Sequence, residues 1–189
     1  MRWSTTSLAV ACLLTLGACA EGALDPPDYR GSNPSAISGA AAEGGMHVQI
    51  AGNPFETNPE VLDDVVSSGL EASHFGPRVA FYTTLPEDVK GTYRVRMIFD
   101  APINLGGREL CGEFYDEISK AEIDPGSGRM VAAFCMGRQY QATLRGTPPR
   151  TNSPEDPAFR KFISQTGLTL FPPPSLLQQE RGGRNAIIF

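Results

Sequence analysis

Histidine is nearly absent: His47 and His74 are the only two in 189 residues. Neither has a carboxylate or a cysteine at metal-ligand spacing, so neither opens a metal site. His47 falls on the polar side of a strand pattern. His74 falls at a helix C-terminus, where the dipole favours a cation. Both read as surface histidines. The chain also lacks H-E-x-x-H, G-x-S-x-G, a P-loop and C-x-x-C. That removes the chemistries which those spacings serve: zinc hydrolysis, the serine elbow, the phosphate cradle and the redox dithiol. No internal repeat is found. Positive charge is in deficit, with 16 Lys and Arg against 21 Asp and Glu and a net charge of −5. Such a balance argues against non-specific nucleic-acid binding. No cofactor motif is present, and no residue qualifies as catalytic.

What is present begins at the amino terminus. Met1 and Arg2 carry positive charge, and Leu8 to Leu16 is apolar apart from Thr15. The run suits a signal-peptide core and is too short for a permanent membrane helix. It ends Leu16-Gly17-Ala18-Cys19. An aliphatic residue, two small residues and a cysteine resemble the lipobox of bacterial lipoproteins. The resemblance implies cleavage before Cys19, a diacylglycerol on its thiol and further acylation of the new amino terminus. Several acyl chains on one residue anchor stably, since each buried CH₂ contributes roughly 0.8 kcal/mol. It also implies delivery to the cell envelope, on the periplasmic face of the outer membrane where the organism has one. A plain signal peptide cut after Ala18 or Ala20 is the competing reading. Losing residues 1–18 removes Arg2 and no acid, which takes the net charge from −5 to −6.

Cys12 would leave with the signal, and Cys19 is the anchor. Cys111 and Cys135 then remain as an even pair in an oxidising compartment, most simply a disulfide. Closing a loop of about 25 residues would stabilise by about 3–4 kcal/mol. Residues 19–45 are rich in Gly and Pro, with Tyr29 the one aromatic residue. They read as a lipidated, disordered tether reaching about 25–30 Å. Residues 46–174 form one domain, which no second long apolar run interrupts. Pro172-Pro173-Pro174 closes it, and residues 175–189 read as a flexible tail.

Within the domain, Met46, Val48 and Ile50 alternate with polar residues as a strand. Asn58-Pro59 reads as an N-cap and first helical residue. Val61, Leu62, Val65, Val66 and Leu70 then recur at helical spacing, predicting a helix over 59–73. Arg78 to Thr84 is a second strand, and the helix between offers a crossover for parallel pairing. In "TYRVRMIFDAP" Tyr93, Val95, Met97 and Phe99 share one face, while Arg94, Arg96 and Ile98 share the other. Leu110 to Phe114 is a weaker strand. A hairpin turns at Asp124-Pro125-Gly126, and Gly137-Arg138 turns into a strand over 139–145. Ser153 to Asp156 opens a helix with Phe159, Phe162 and Ile163 on its stripe, and Gly167 ends it. The fold class is α+β: a mostly antiparallel sheet of about five to six strands with two helices on one face.

Candidate sites are few. Asp63-Asp64 and Asp116-Glu117 are carboxylate pairs without a selected partner or spacing. Arg94, Arg96 and Arg145 form a basic stripe if their strands are neighbours, suited to an acidic partner, a carboxylated glycan or a phospholipid headgroup. A solvated sheet face is the competing reading. "GNPF" at 52–55 is a distinctive turn. The expected function is a membrane-anchored accessory or interaction protein with an envelope protein partner. The alternative is a binding module for an envelope glycan, lipid or small molecule. An enzyme is the third reading.

Overall fold

The computed structural model describes residues 22–30, 35–55, 57–113, 115–117 and 123–174. The expected signal peptide (1–18), the lipidation residue Cys19 and the tail (175–189) lie outside the described residues.

Seven strands form one sheet: β1 (Ala23–Leu24), β2 (Asp28–Tyr29), β3 (Met46–Ala51), β4 (Phe81–Tyr82), β5 (Tyr93–Phe99), β6 (Met130–Met136) and β7 (Gln139–Thr147). Their order in space is β1-β7-β6-β5-β3-β4, and β2 also lies on β7. β3 runs parallel to both β4 and β5. From β5 through β6 to β7 the sheet is an antiparallel meander. It is therefore mixed, with seven strands, and corrects the expected mostly antiparallel sheet of five to six. Period-two patterning states which residues share a face. It does not state the direction of the neighbour.

Helix α2 (Pro59–Glu71) is the crossover between β3 and β4. Asn58 caps it as expected: its side chain accepts from the Glu60 amide at 3.1 Å, with Pro59 in the first turn. Helix α5 (Pro157–Leu170) starts one cap later than Ser153 suggests. Asp156 accepts from the Ala158 amide at 2.8 Å. Gly167 does not end it. The missing side chain there lets α2 and α5 close together, because a Cβ would stand 2.9 Å from the Ser73 carbonyl oxygen.

Both faces of the sheet are covered. On one, α2, α5 and a short helix α1 (Ala36–Ala42) enclose the main core around Met46, Val95, Met97, Phe99, Phe159 and Phe162. On the other, α3 (Gly107–Cys111) and a helical turn at 115–117, α4, cover a smaller core around Ile98, Leu110, Val131 and Cys135. Helices on two faces replace the expected pair on one. The strand expected at Leu110–Phe114 is helical at its start, since Glu109 caps the Gly106 amide at 3.1 Å and α3 follows.

The expected tether is also corrected. From Gly22 onward its described residues belong to the fold. β1 and β2 pair with β7, the Tyr29 hydroxyl donates to the Thr169 carbonyl at 2.6 Å, and Ala36, Ile37 and Ala40 are buried. Three small apolar residues on one helix face suffice where a sheet and α2 already supply the surface to cover. A composition reading of a Gly- and Pro-rich stretch averages that stripe away. Among the described residues no helix is long and apolar enough to cross a membrane.

Candidate functional site

The three arginines of the expected stripe share a sheet face but do not form one surface. Arg96 is only 6% exposed. Its Nε donates to Gln49 Oε1 at 2.7 Å, and one terminal nitrogen donates to the carbonyls of Leu110 and Gly112 at 2.6 and 3.2 Å. Its guanidinium lies 4.2 Å from the Tyr115 ring centre. Arg96 therefore holds the end of α3 and the turn at 115–117 onto the sheet. Burial weakens its hold on the proton and pushes the Tyr115 hydroxyl up to about 12. Arg94 is half-buried and donates to the Gly91 carbonyl at 2.9 Å. Arg145 is exposed and donates to the Leu105 carbonyl at 2.9 Å. In register, Arg96 faces Ala133 and Arg145 faces Val131 on opposite sides of β6, with α3 packed above. The sidedness expected from the alternation holds. The assumption that this side meets solvent fails at Arg96 and holds at Arg145.

Cys111 and Cys135 are joined as a disulfide, with Cα atoms 5.6 Å apart. Both are buried, so the pair staples α3 to β6 and presents no thiol for exchange. Arg145 instead lines a polar groove of about 310 Å³ with Arg30, Arg108, Asp28, Glu109 and Tyr140. There the Tyr140 hydroxyl donates to Asp28 at 3.0 Å.

The larger opening is a cleft of about 610 Å³ past the carboxyl ends of β3, β5 and β7. Ends of parallel strands are where open sheets collect ligands, because loops there diverge and leave a crevice. Three turns form its walls. The first is the Gly52–Phe55 turn. Gly52 has φ +74°, and a Cβ would stand 2.3 Å from the Phe99 carbonyl oxygen, so only glycine lets the chain cross β5 here. Asn53 then accepts from the Phe55 amide and donates to the Thr57 carbonyl, both at 3.0 Å. Phe55 packs edge-on against Phe159 of α5, its ring centre 4.8 Å away. It thus seats the turn on the main core.

Asp100 builds the second wall. It is buried and has φ +52°, the one non-glycine residue at positive φ among those described. Its carbonyl accepts from the Asp124 amide at 2.8 Å, and its carboxylate accepts from the Gly128 amide at 3.1 Å. Both bonds hold the 124–128 turn over the cleft. Arg129 donates to the Ala101 carbonyl and pairs with Asp124, each at 2.9 Å. The third wall is 147–151, with Arg150 exposed at its edge.

Left-handed backbone at an aspartate costs roughly 1 kcal/mol or more and persists only where the surroundings enforce it. Here the two bonds to the 124–128 turn enforce it. Chemically, the cleft offers one carboxylate to accept from hydroxyl groups and two guanidinium groups to receive an anion, over an aromatic floor of Phe55 and Phe99. Sequence reading singled out the Asn53 turn but missed Asp100. The available signal was an aspartate ending an apolar strand, "MIFDAP", at the side of a sheet where loops carry function.

Both histidines are less exposed than expected. His47 Nε2 lies 3.3 Å from the Thr83 carbonyl oxygen, and burial lowers its pKa. His74 has both ring nitrogens out of solvent, beside Phe81 and Phe171. Burial lowers its pKa against the opposing pull of Glu71 and the Val79 backbone. Among the described residues no three His, Cys, Asp or Glu side chains are grouped to hold a metal ion. No family model, no curated protein and no solved structure matches the chain.

Proposed function

We propose that this chain is a lipid-anchored envelope protein that works as a binding module, with the cleft beyond β3, β5 and β7 as its ligand site. The observation that carries this reading is the pinned Asp100, whose strained backbone shapes a cleft of about 610 Å³. A ligand suited to it bears hydroxyl groups and one anionic group, as acidic glycans and phospholipid headgroups do. Asp100 takes the hydroxyls, and Arg129 and Arg150 take the anion. The test is thermal unfolding of the purified chain with a panel of uronic acids, sugar phosphates and glycerol phosphates. At least one should raise the unfolding temperature. Asp100→Asn, which tolerates the left-handed backbone, and Arg150→Ala should each reduce that rise. A panel without effect, or a rise unchanged in both variants, sinks the reading.

A second reading, an accessory protein that docks an envelope partner, draws support from Phe75 and Leu168. They are 50% and 42% exposed near the carboxyl ends of α2 and α5, away from the cleft. Loss of partner capture in Phe75→Ser and Leu168→Gln, with ligand binding intact, would favour it.

A further inference from the structure

We infer that the end of the sheet carrying the cleft faces the bilayer, and that the cleft takes an anionic phospholipid headgroup from that same membrane. This rests on the lipid-anchor reading of Cys19 and on the cleft as the ligand site.

The first observation is a length. Only Ala20 and Glu21 separate Cys19 from Gly22, which is already part of the fold. An extended chain gains at most about 3.6 Å per residue, so the step from Cys19 to Gly22 spans no more than roughly 11 Å. An acylated Cys19 sits at the lipid interface. Gly22 is then held within about that distance of it.

The second observation is where Gly22 lies. A Cβ there would stand 2.6 Å from Pro149 Cδ, and Pro149 lines the cleft beside Arg150. The chain thus leaves the membrane next to the cleft wall.

The third is what this end presents. Ile103, in the turn after β5, is 71% exposed. Arg150 is exposed and makes no hydrogen bond or ion pair among the described residues. An aliphatic side chain for the acyl boundary and an unpaired guanidinium for lipid phosphates are what an interfacial surface needs. Phe75 marks the other end. It precedes β4, whose Phe81 pairs with Met46 at the start of β3. A strand of this length puts it about 20 Å from the cleft.

Tryptophan quenching tests the orientation. The single tryptophan, Trp3, lies in the leader, so the mature chain has none of its own. Ile103→Trp and Phe75→Trp are made separately in the lipidated chain. Each is reconstituted in vesicles of phosphatidylcholine and phosphatidylglycerol with brominated acyl chains. The reporter at 103 should be quenched and the one at 75 should not. Equal quenching, or quenching at 75 alone, overturns the inference and leaves the anchor reading standing, provided the protein floats with the vesicles. Protein that does not float overturns both.

Headgroup capture is read from the unfolding temperature of the vesicle-bound chain. Replacing part of the phosphatidylcholine by phosphatidylglycerol should raise it by about 3–5 °C near saturation, and Arg150→Glu should abolish the rise. A rise with free glycerol phosphate but not with these vesicles would assign the cleft to a soluble ligand and overturn the inference.

Discussion

Arg96 and Arg94 sit two residues apart on one strand face, yet their surroundings differ enough to give opposite expectations. Arg96 serves three acceptors and one aromatic ring inside the smaller core. Arg96→Met would leave the Leu110 and Gly112 carbonyls and the Gln49 side chain without their donor. That should destabilise by about 3 kcal/mol, since removing one partner strands buried polar groups. Arg94→Gln should change stability by no more than about 0.5 kcal/mol. Urea midpoints of the two variants check the contrast, and equal effects would refute it. His74 offers a second residue-level test. Its pKa is lowered on folding from 6.5, chiefly by burial. Above that value both folded and unfolded chains hold it neutral, and it costs nothing. As pH falls through 6.5 the unfolded chain takes up a proton that the folded chain resists, so stability declines. His74→Phe keeps a ring beside Phe81 and Phe171 and removes the titration. The variant should lose less stability than the parent between pH 7 and pH 5, as read from urea midpoints at the two values. Parallel losses would assign the decline to other groups, His47 first.

α3 is held to the sheet by three devices: the Cys111–Cys135 bridge, the Arg96 bonds, and the burial of Leu110. A helix this short has little stability of its own, because nucleation outweighs the few bonds it closes. Replacing both cysteines by serine should therefore cost about 3 kcal/mol. Hydrogen exchange should speed up first in α3 and the 115–117 turn, while β3 and α2 stay protected. Uniform loss of protection would show that the smaller core is not a separate unit. The same brevity explains why α3 escaped the sequence reading. Leu110 and Cys111 are apolar neighbours that fit a strand as well as a helix, and too few residues follow to reveal a period. α2 and α5 were legible because each combines a capping side chain, an early proline and a long apolar stripe. β5 was legible through alternation, and β7 through the Gly137-Arg138 turn. β6, uniformly apolar, read as one arm of a hairpin turning at Asp124-Pro125-Gly126, whereas it pairs with β5 and β7. The pairing across β3 was not legible, since parallel and antiparallel neighbours ask for the same face pattern. The cleft was legible only at Asn53. Asp100 and the 147–151 wall come to it from distant positions, and only the register of β5 with β6 and β7 brings them together.

At the scale of the molecule, the issue is how much chain stands between the anchor and the folded body. A Gly- and Pro-rich segment reads as a spacer, and a spacer of 27 residues would let the body sample many orientations. The structure instead places eleven of those residues in β1, β2 and α1. Consider replacing residues 23–42 by a Gly-Ser sequence of equal length. The anchor, its spacing and β3 all survive. If the segment were a tether, stability would not change. If it belongs to the fold, three losses follow. Burial of Ile37 contributes about 2 kcal/mol, and the hydrogen bond from Tyr29 to the Thr169 carbonyl contributes about 1. Strand β7 also loses its edge partners and presents open backbone groups. The packed segment holds its place against its own ordering entropy, so its loss should lower the unfolding temperature. The uncovered edge of β7 should also make the variant associate at high concentration, which sedimentation reads directly. An unchanged unfolding temperature would return residues 22–45 to the role of spacer. It would also free the body from the membrane, and with it the reason for the cleft to face lipid.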